Sequence, residues 1–118
     1  MDILGNKEKR AKLKASIEKL KEKYPGRVPI FVMKSKHDKI LPDINSNKFI
    51  VPEDITVSDF MQVVRKRIEL GQETSMFLFI NDKVLPCTSE SIGKLYNNYK
   101  NNEDVLEIYY CGENTFGN

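Results

Sequence analysis

Two cysteines and one histidine in 118 residues are too few to supply the closely spaced ligands of a structural zinc site. No run approaches the ~20 apolar residues that a bilayer-crossing helix needs. The opening stretch MDILGNKEKR has no apolar core long enough for a secretory signal. The chain is therefore expected in the cytosol or nucleus, with Cys87 and Cys111 kept as thiols. Internal repeats and low-complexity segments are lacking too. His37 falls in a polar stretch, and neither cysteine stands beside a recognisable base or oxyanion motif. A Cys-His hydrolase therefore finds no support, and no catalytic residue, metal or bound cofactor is assigned.

What is present is the composition of a single globular domain, 40% hydrophobic and 31% charged. A chain of this size buries a core without staples. Its net charge of +2 is unevenly spread. Residues 1–23 hold eight Lys or Arg against Asp2, Glu8, Glu18 and Glu22, so this arm is +4 and the remainder −2. Such an arm reads either as a solvated helix face or as an attraction for an acidic partner, an anionic membrane surface or RNA. Interleaved aromatics and a nucleic-acid-binding module are missing, so no nucleic-acid partner is assigned.

Leu13, Ile17, Leu20 and Tyr24 recur at helical spacing and predict a helix of about four turns with one stripe laid on something else. Pro25 and Gly26 end it. VPIFVMK follows as a strand whose two faces, Val28, Ile30 and Val32 against Pro29, Phe31 and Met33, are both apolar, so both are expected to be covered. SKHDKILPDINSN is a polar loop or wide hairpin, and KFIVP a second strand ended by Pro52. Thr56 is placed to cap a helix through VSDFMQVVRKRIEL, with Phe60, Met61, Val63, Val64 and Ile68 inward and Gly71 after its end. MFLFI is a strand, NDK a turn and VLP a short returning strand. TSESIGKLYNNY is a short capped helix and VLEIYYC the last strand. A hairpin, a helix across it and a late strand inserted beside the first make an α+β, ubiquitin-like β-grasp with a four-stranded mixed sheet and an additional N-terminal helical arm. The divisions are residues 1–24 for the arm, 25–112 for the domain and 113–118 for a C-terminal tail.

The stretches KYPGRVP, KFIVPEDITVSDFMQVVRKRIEL, FLFINDKVLPCT, LYNNYK and YCGENTFG, in this order and spacing, carry a resemblance over about residues 19–117. The chain resembles the autophagy ubiquitin-like modifier family, the group that includes GABARAP and its yeast counterpart. The resemblance implies ubiquitin with two helices added in front. It also implies a processing cysteine protease that cuts between Gly117 and Asn118, engaging Phe77, Phe79 and Phe116. Activating (E1-like) and conjugating (E2-like) enzymes would then join Gly117 to phosphatidylethanolamine. Glycine suits that path, because a carboxyl end threading narrow active sites is obstructed by any side chain. Membrane residence would then come from the lipid's acyl chains, at ~0.8 kcal/mol per buried CH₂. The chain would be cytoplasmic, and autophagosomal when lipidated.

The resemblance further implies recognition of aromatic-x-x-aliphatic motifs in cargo receptors and adaptors, by pairing of an extended peptide with the KFIVP edge. Alternation along that strand gives two pockets. The first is assigned Leu20, Pro29, Phe31, Lys48, Ile50 and Leu106, between arm and sheet. The second is assigned Phe49, Val51, Pro52, Ile55, Phe60 and Val63, between strand and central helix, with Arg67 at its rim. Arg27 completes the peptide-binding set. Phe60, Val63, Phe77 and Phe79 read equally as core, and Lys48 equally as a gatekeeper of an edge strand. The arm departs from the family pattern. Its Phe-Glu-Lys-Arg-like signature fits KEKR in neither register, and Ser16 falls where an acid lines the first pocket, leaving Glu18 as a substitute. Val105 and Leu106 stand where large aromatics are usual. The alternative reading is an unconjugated peptide-binding adaptor of the same fold.

Overall fold

The computed structural model describes residues 3–81 and 84–112, with side chains of the first helix from Glu8 onward. The order is α1 (Ile3–Lys23), β1 (Arg27–Lys34), β2 (Lys48–Pro52), α2 (Val57–Arg67), β3 (Phe77–Ile80), α3 (Ile92–Tyr99) and β4 (Leu106–Cys111). The four strands form one sheet in the order β2-β1-β4-β3, antiparallel except for the central β1–β4 pair. This is the expected mixed β-grasp sheet. The returning strand expected at VLP is reduced to a bridge between Ile80 and Val84. Val84 and Leu85 lie exposed there, so no burial rewards further pairing.

Registers divide the sheet into two faces. Val28 sits opposite Val51, Ile30 opposite Phe49 and Leu106, and Val32 opposite Ile108. With Leu78, Ile80 and Tyr110 these residues pack in one core with Val57, Phe60, Val64 and Ile68 of the α2 region. The other face carries Pro29, Phe31 and Met33. Pro29 is buried and the other two are half-buried, so β1 is covered more completely on one side than on the other.

α1 runs unbroken for 21 residues, where the family resemblance implied two helices. From Lys7 onward it contains neither Gly nor Pro and is rich in Lys, Glu, Leu and Ala, all strong helix formers. Of its stripe, Ile17 is buried (3% exposed), Leu13 and Leu20 are half-buried and Tyr24 is exposed. The helix packs against β1. It is also tied to the body by Arg10 Nε, 3.6 Å from Glu103, and by Lys21 Nζ, 5.3 Å from the Tyr96 ring centre. Gly26 makes the turn into β1 at φ +80°.

α2 begins in a full capping box. Thr56 Oγ1 accepts from the Asp59 N–H, and an Asp59 carboxylate oxygen accepts from the Thr56 N–H, both at 3.1 Å. The inward face differs from the expected one at a single position: Val63 is 39% exposed. At about 100° per residue, Val57, Phe60, Val64 and Ile68 fall on one arc and Val63 lies on its margin. Arg65 is buried instead, and its guanidinium donates to the carbonyls of Gly71 at 3.0 Å and Thr74 at 2.6 Å. The helix ends before Gly71. The Glu69 N–H bonds the Lys66 carbonyl and the Leu70 N–H bonds the Arg65 carbonyl, a Schellman closure that puts Glu69 at φ +58°. In α3, Gly93 fits because its N–H meets the Glu53 carbonyl at 2.8 Å and an added Cβ would lie 2.9 Å from that oxygen.

The left-handed Glu69 yields a stability prediction. An L side chain there costs roughly 1–2 kcal/mol, partly offset by the entropy of an unfolded glycine. Glu69→Gly is expected to raise unfolding free energy by about 0.5–1 kcal/mol in urea titration; a destabilised variant would contradict this account of the helix end.

Candidate functional site

β2 is an edge strand, and hydrogen-bond parity decides what its open side offers. The Val32 N–H donates to the Asn47 carbonyl and the Glu53 N–H to the Gly26 carbonyl. Within the β1–β2 register, Phe49 and Val51 therefore spend their backbone groups on β1, and Lys48 and Ile50 direct theirs away from it. Pro52 has no N–H to offer. The Ile50 carbonyl lies 3.5 Å from Arg27 Nη1, at the limit of a hydrogen bond. The free edge is thus short, centred on Lys48 and Ile50.

On the α1 side of this edge, the register aligns Arg27 with Pro52, Pro29 with Ile50 and Phe31 with Lys48. Pro29, Phe31, Lys48 and Ile50 share the outer face, and Leu20 of α1, which packs against β1, is half-buried. Lys48 Nζ lies 5.9 Å from the Phe31 ring centre. Leu106 does not join them. Its pairing with Ile30 puts it on the opposite face, fully buried in the main core. Val105, just before β4, is equally buried but outside that core cluster. Pro52 needs the same kind of correction: by alternation it shares the side of Lys48 and Ile50, not that of Val51. Glu18 is exposed on α1 and, two positions from Leu20, lies about 200° around the helix from it. It does not replace the missing acid.

On the α2 side, Phe49, Val51 and Phe60 are core residues, and the two rings meet edge to face at 5.5 Å. What reaches solvent is Val63, half-buried Ile55 and a cover formed by Arg67. The Arg67 guanidinium carbon sits 4.5 Å from the Phe49 ring centre, and its Nη1 donates to the Ser46 carbonyl at 3.1 Å. This surface is apolar below and cationic where Arg67 covers Phe49. The exposure of Val63 separates it from plain core, whereas Phe60 is core.

At β3, Phe77 is half-buried and lines an apolar depression of about 230 Å³ with Met61, Leu85 and Pro86. Phe79 is buried (2% exposed), so of this pair only Phe77 is presented to solvent. Gly117, Asn118 and Phe116 lie outside the described residues. The last described residue, Gly112, is held by a residue that sequence reasoning missed. Asp38, buried in the β1–β2 connection, accepts from the N–H groups of Gly112 and Leu41, each at 2.9 Å, with the Cys111 thiol at 3.7 Å. Burial would raise its pKa, but these donors outweigh that and hold it below the ordinary carboxylate range. Nearby, Tyr110 donates to the Pro42 carbonyl at 2.6 Å, and burial, with the charges of Asp43 and Asp38, pushes its pKa up to about 12. No sequence signal marked Asp38, because Gly112 and Cys111 lie 74 and 73 positions away and only the fold brings them to it.

Because the folded pKa of Asp38 is depressed, its contribution is present above the unfolded carboxylate value of about 3.9 and fades as pH falls through the lower folded value. Asp38→Asn is expected to cost about 1–2 kcal/mol at pH 7 and much less at pH 2–3, by denaturant titration at both pH values. An equal loss at both would remove the carboxylate's charge from the account.

The sequence matches the family described as "Autophagy protein Atg8 ubiquitin like" over residues 12–117. It is 43% identical over 106 residues to autophagy-related protein 8e of Arabidopsis thaliana, covering 90% of this chain and 85% of that one. It is 42% identical over 106 residues to autophagy-related protein 8 of Mycosarcoma maydis, covering 90% and 88%. Its fold is similar to the crystal structure of Trypanosoma brucei ATG8, with a TM-score of 0.82, 35% identity and coverage of 92% of this chain and 91% of that one.

Proposed function

The chain belongs to the Atg8 family of ubiquitin-like autophagy proteins, and from that premise we propose that it is a modifier joined through Gly117 to phosphatidylethanolamine which recruits motif-bearing receptors at the open β2 edge. It acts as a modifier and adaptor, without catalysis of its own. A cysteine protease hydrolyses the Gly117–Asn118 amide and frees the glycine carboxylate. The activating enzyme adenylates that carboxylate and takes it as a thioester, and the conjugating enzyme receives it by thiol exchange. The ethanolamine nitrogen then displaces the thiol, forming an amide. The family match extends to Gly117, which supports this assignment. Among the described residues no helix is long and apolar enough to cross a membrane, so the lipid is the proposed means of attachment, moving the chain from cytoplasm to autophagosomal membrane.

The observation that carries the docking half is the β2 edge, where the backbone groups of Lys48 and Ile50 are directed away from β1. An extended peptide pairing there would place an aromatic side chain over Phe31, Pro29, Ile50 and Leu20. Its aliphatic residue three positions on would reach Val63 and Ile55, with Arg67 swung off Phe49. Lys48, Arg27 and Arg67 suit acidic residues flanking the motif.

Intact mass after incubation with the family's protease, conjugation enzymes, ATP and phosphatidylethanolamine vesicles is expected to show loss of Asn118 and then gain of one lipid less water. Gly117→Ala should block the second step; full lipidation of that variant would overturn the conjugation reading. Ile50→Pro removes one outward N–H and leaves the β1-facing groups of Phe49 and Val51 in place. It is expected to weaken motif-peptide binding at least about tenfold with an unchanged circular dichroism spectrum. Undiminished binding would count against edge pairing.

A further inference from the structure

The loop between β1 and β2 is anchored at every third residue where it leaves β1. Ser35, Asp38 and Leu41 are buried, and the pairs between them, Lys36 with His37 and Lys39 with Ile40, are exposed. The anchors are bonded to one another: the Asp38 N–H donates to the Ser35 carbonyl at 3.1 Å, and the Asp38 carboxylate accepts from the Leu41 N–H at 2.9 Å. The exposed tip is therefore held in shape, and it carries no acid. At 58% exposure, Ile40 is the most exposed large hydrophobic side chain among the described residues. Lys36 and Lys39 enter no ion pair among those residues, whereas the loop's exposed acid, Asp43, is held by Lys34 at 3.0 Å.

The same loop grips the root of the C-terminal tail. Asp38 accepts from the Gly112 N–H at 2.9 Å, and a Cβ added at Gly112 would lie 3.2 Å from Leu41 and 3.4 Å from Ile40. Gly117 follows five residues later, a reach of at most about 17 Å. Once Gly117 is joined to a lipid headgroup, the root of the tail and the loop packed on it stay within about two Debye lengths of the bilayer, where lysines are drawn to anionic headgroups. An exposed aliphatic side chain beside such lysines has the composition that enters an interface.

We propose that the tip of the β1–β2 loop is a second contact with the membrane, specific for an anionic bilayer: Lys36 and Lys39 meet the headgroups and Ile40 enters the interface beside them. The proposal rests on the conjugation reading above, which gives the chain an anchor but no orientation. The loop supplies the orientation, turning the Gly112 end of the sheet to the bilayer.

The chain has no tryptophan, so Ile40→Trp places a single reporter at the tip. Val84→Trp is the control, because Val84 is exposed and bridges to Ile80, which pairs with Ile108 at the other end of β4 from Gly112. Each chain is conjugated to phosphatidylethanolamine vesicles made with phosphatidylcholine, with or without phosphatidylserine, and intact mass verifies the attached lipid. On phosphatidylserine vesicles the Ile40→Trp emission is expected to shift to the blue and to be quenched by brominated lipid. Both effects should be lost when Lys36→Glu and Lys39→Glu are added, and Val84→Trp should show neither. Should the tryptophan distort the loop, tryptic cleavage after Lys36 and Lys39 of the lipidated wild-type chain decides, and is expected to be at least about threefold slower with phosphatidylserine than without it. No shift with equal cleavage, a shift indifferent to phosphatidylserine, or one shared by Val84→Trp overturns the loop contact and leaves conjugation intact. A shift given by soluble polyglutamate and not by vesicles assigns the loop to an acidic protein and overturns the contact too. Absence of any lipid-bearing wild-type chain overturns the conjugation reading itself.

Discussion

Everything distinctive about the site depends on the hydrogen-bond parity between β1 and β2. The rungs at Val32–Asn47 and Gly26–Glu53 fix which residues of β2 are spent inside the sheet and which face out. They also send Phe49 and Val51 into the core and Lys48 and Ile50 onto the α1 side. A slip of one residue would exchange the two sets and bury a lysine in place of a phenylalanine. The core therefore holds the β2 edge in register at no separate cost. The proposed binding surface is the outside of the same ladder that makes the fold stable.

The second half of the site relies on α2. Its capping box sets the start of the helix and the Schellman closure its end, so the phase of the side chains between them is fixed. That phase presents Val63 at the surface and points Arg67 back over Phe49. Buried Arg65, bonded to Gly71 and Thr74 carbonyls, secures the connection that follows. Three successive basic residues thus have three different jobs: one inward, one in solvent and one over an aromatic ring.

Elements with a strong period were legible in the sequence. The α2 stripe, the alternation of KFIVP and the caps at Thr56 and Ser91 each express one local rule, and the sheet order followed from short connections. What failed did so at margins. Leu106 opens β4 and Val105 precedes it, so no alternation behind them tells which faces in, and the resemblance places in the first pocket a leucine that the register sends to the core. Val63 lies at the edge of an apolar arc, where hydrophobicity alone does not distinguish buried from presented. Asp38 carried no local signal for its remote partners, since Cys111 and Gly112 lie 73 and 74 positions away.

The shortness of the free edge has a consequence of another kind. An unpaired strand is an invitation to a second copy of the same chain, and a long one would seed polymers at high local concentration on a crowded surface. Here Pro52 denies a donor at one end, the Arg27 guanidinium partly occupies the Ile50 carbonyl, and Lys48 would face its own charge on an incoming copy. The proposed receptor would bring acidic groups and two anchoring side chains, whereas the protein's own β2 strand brings lysine. The edge thereby disfavours pairing with its own copy.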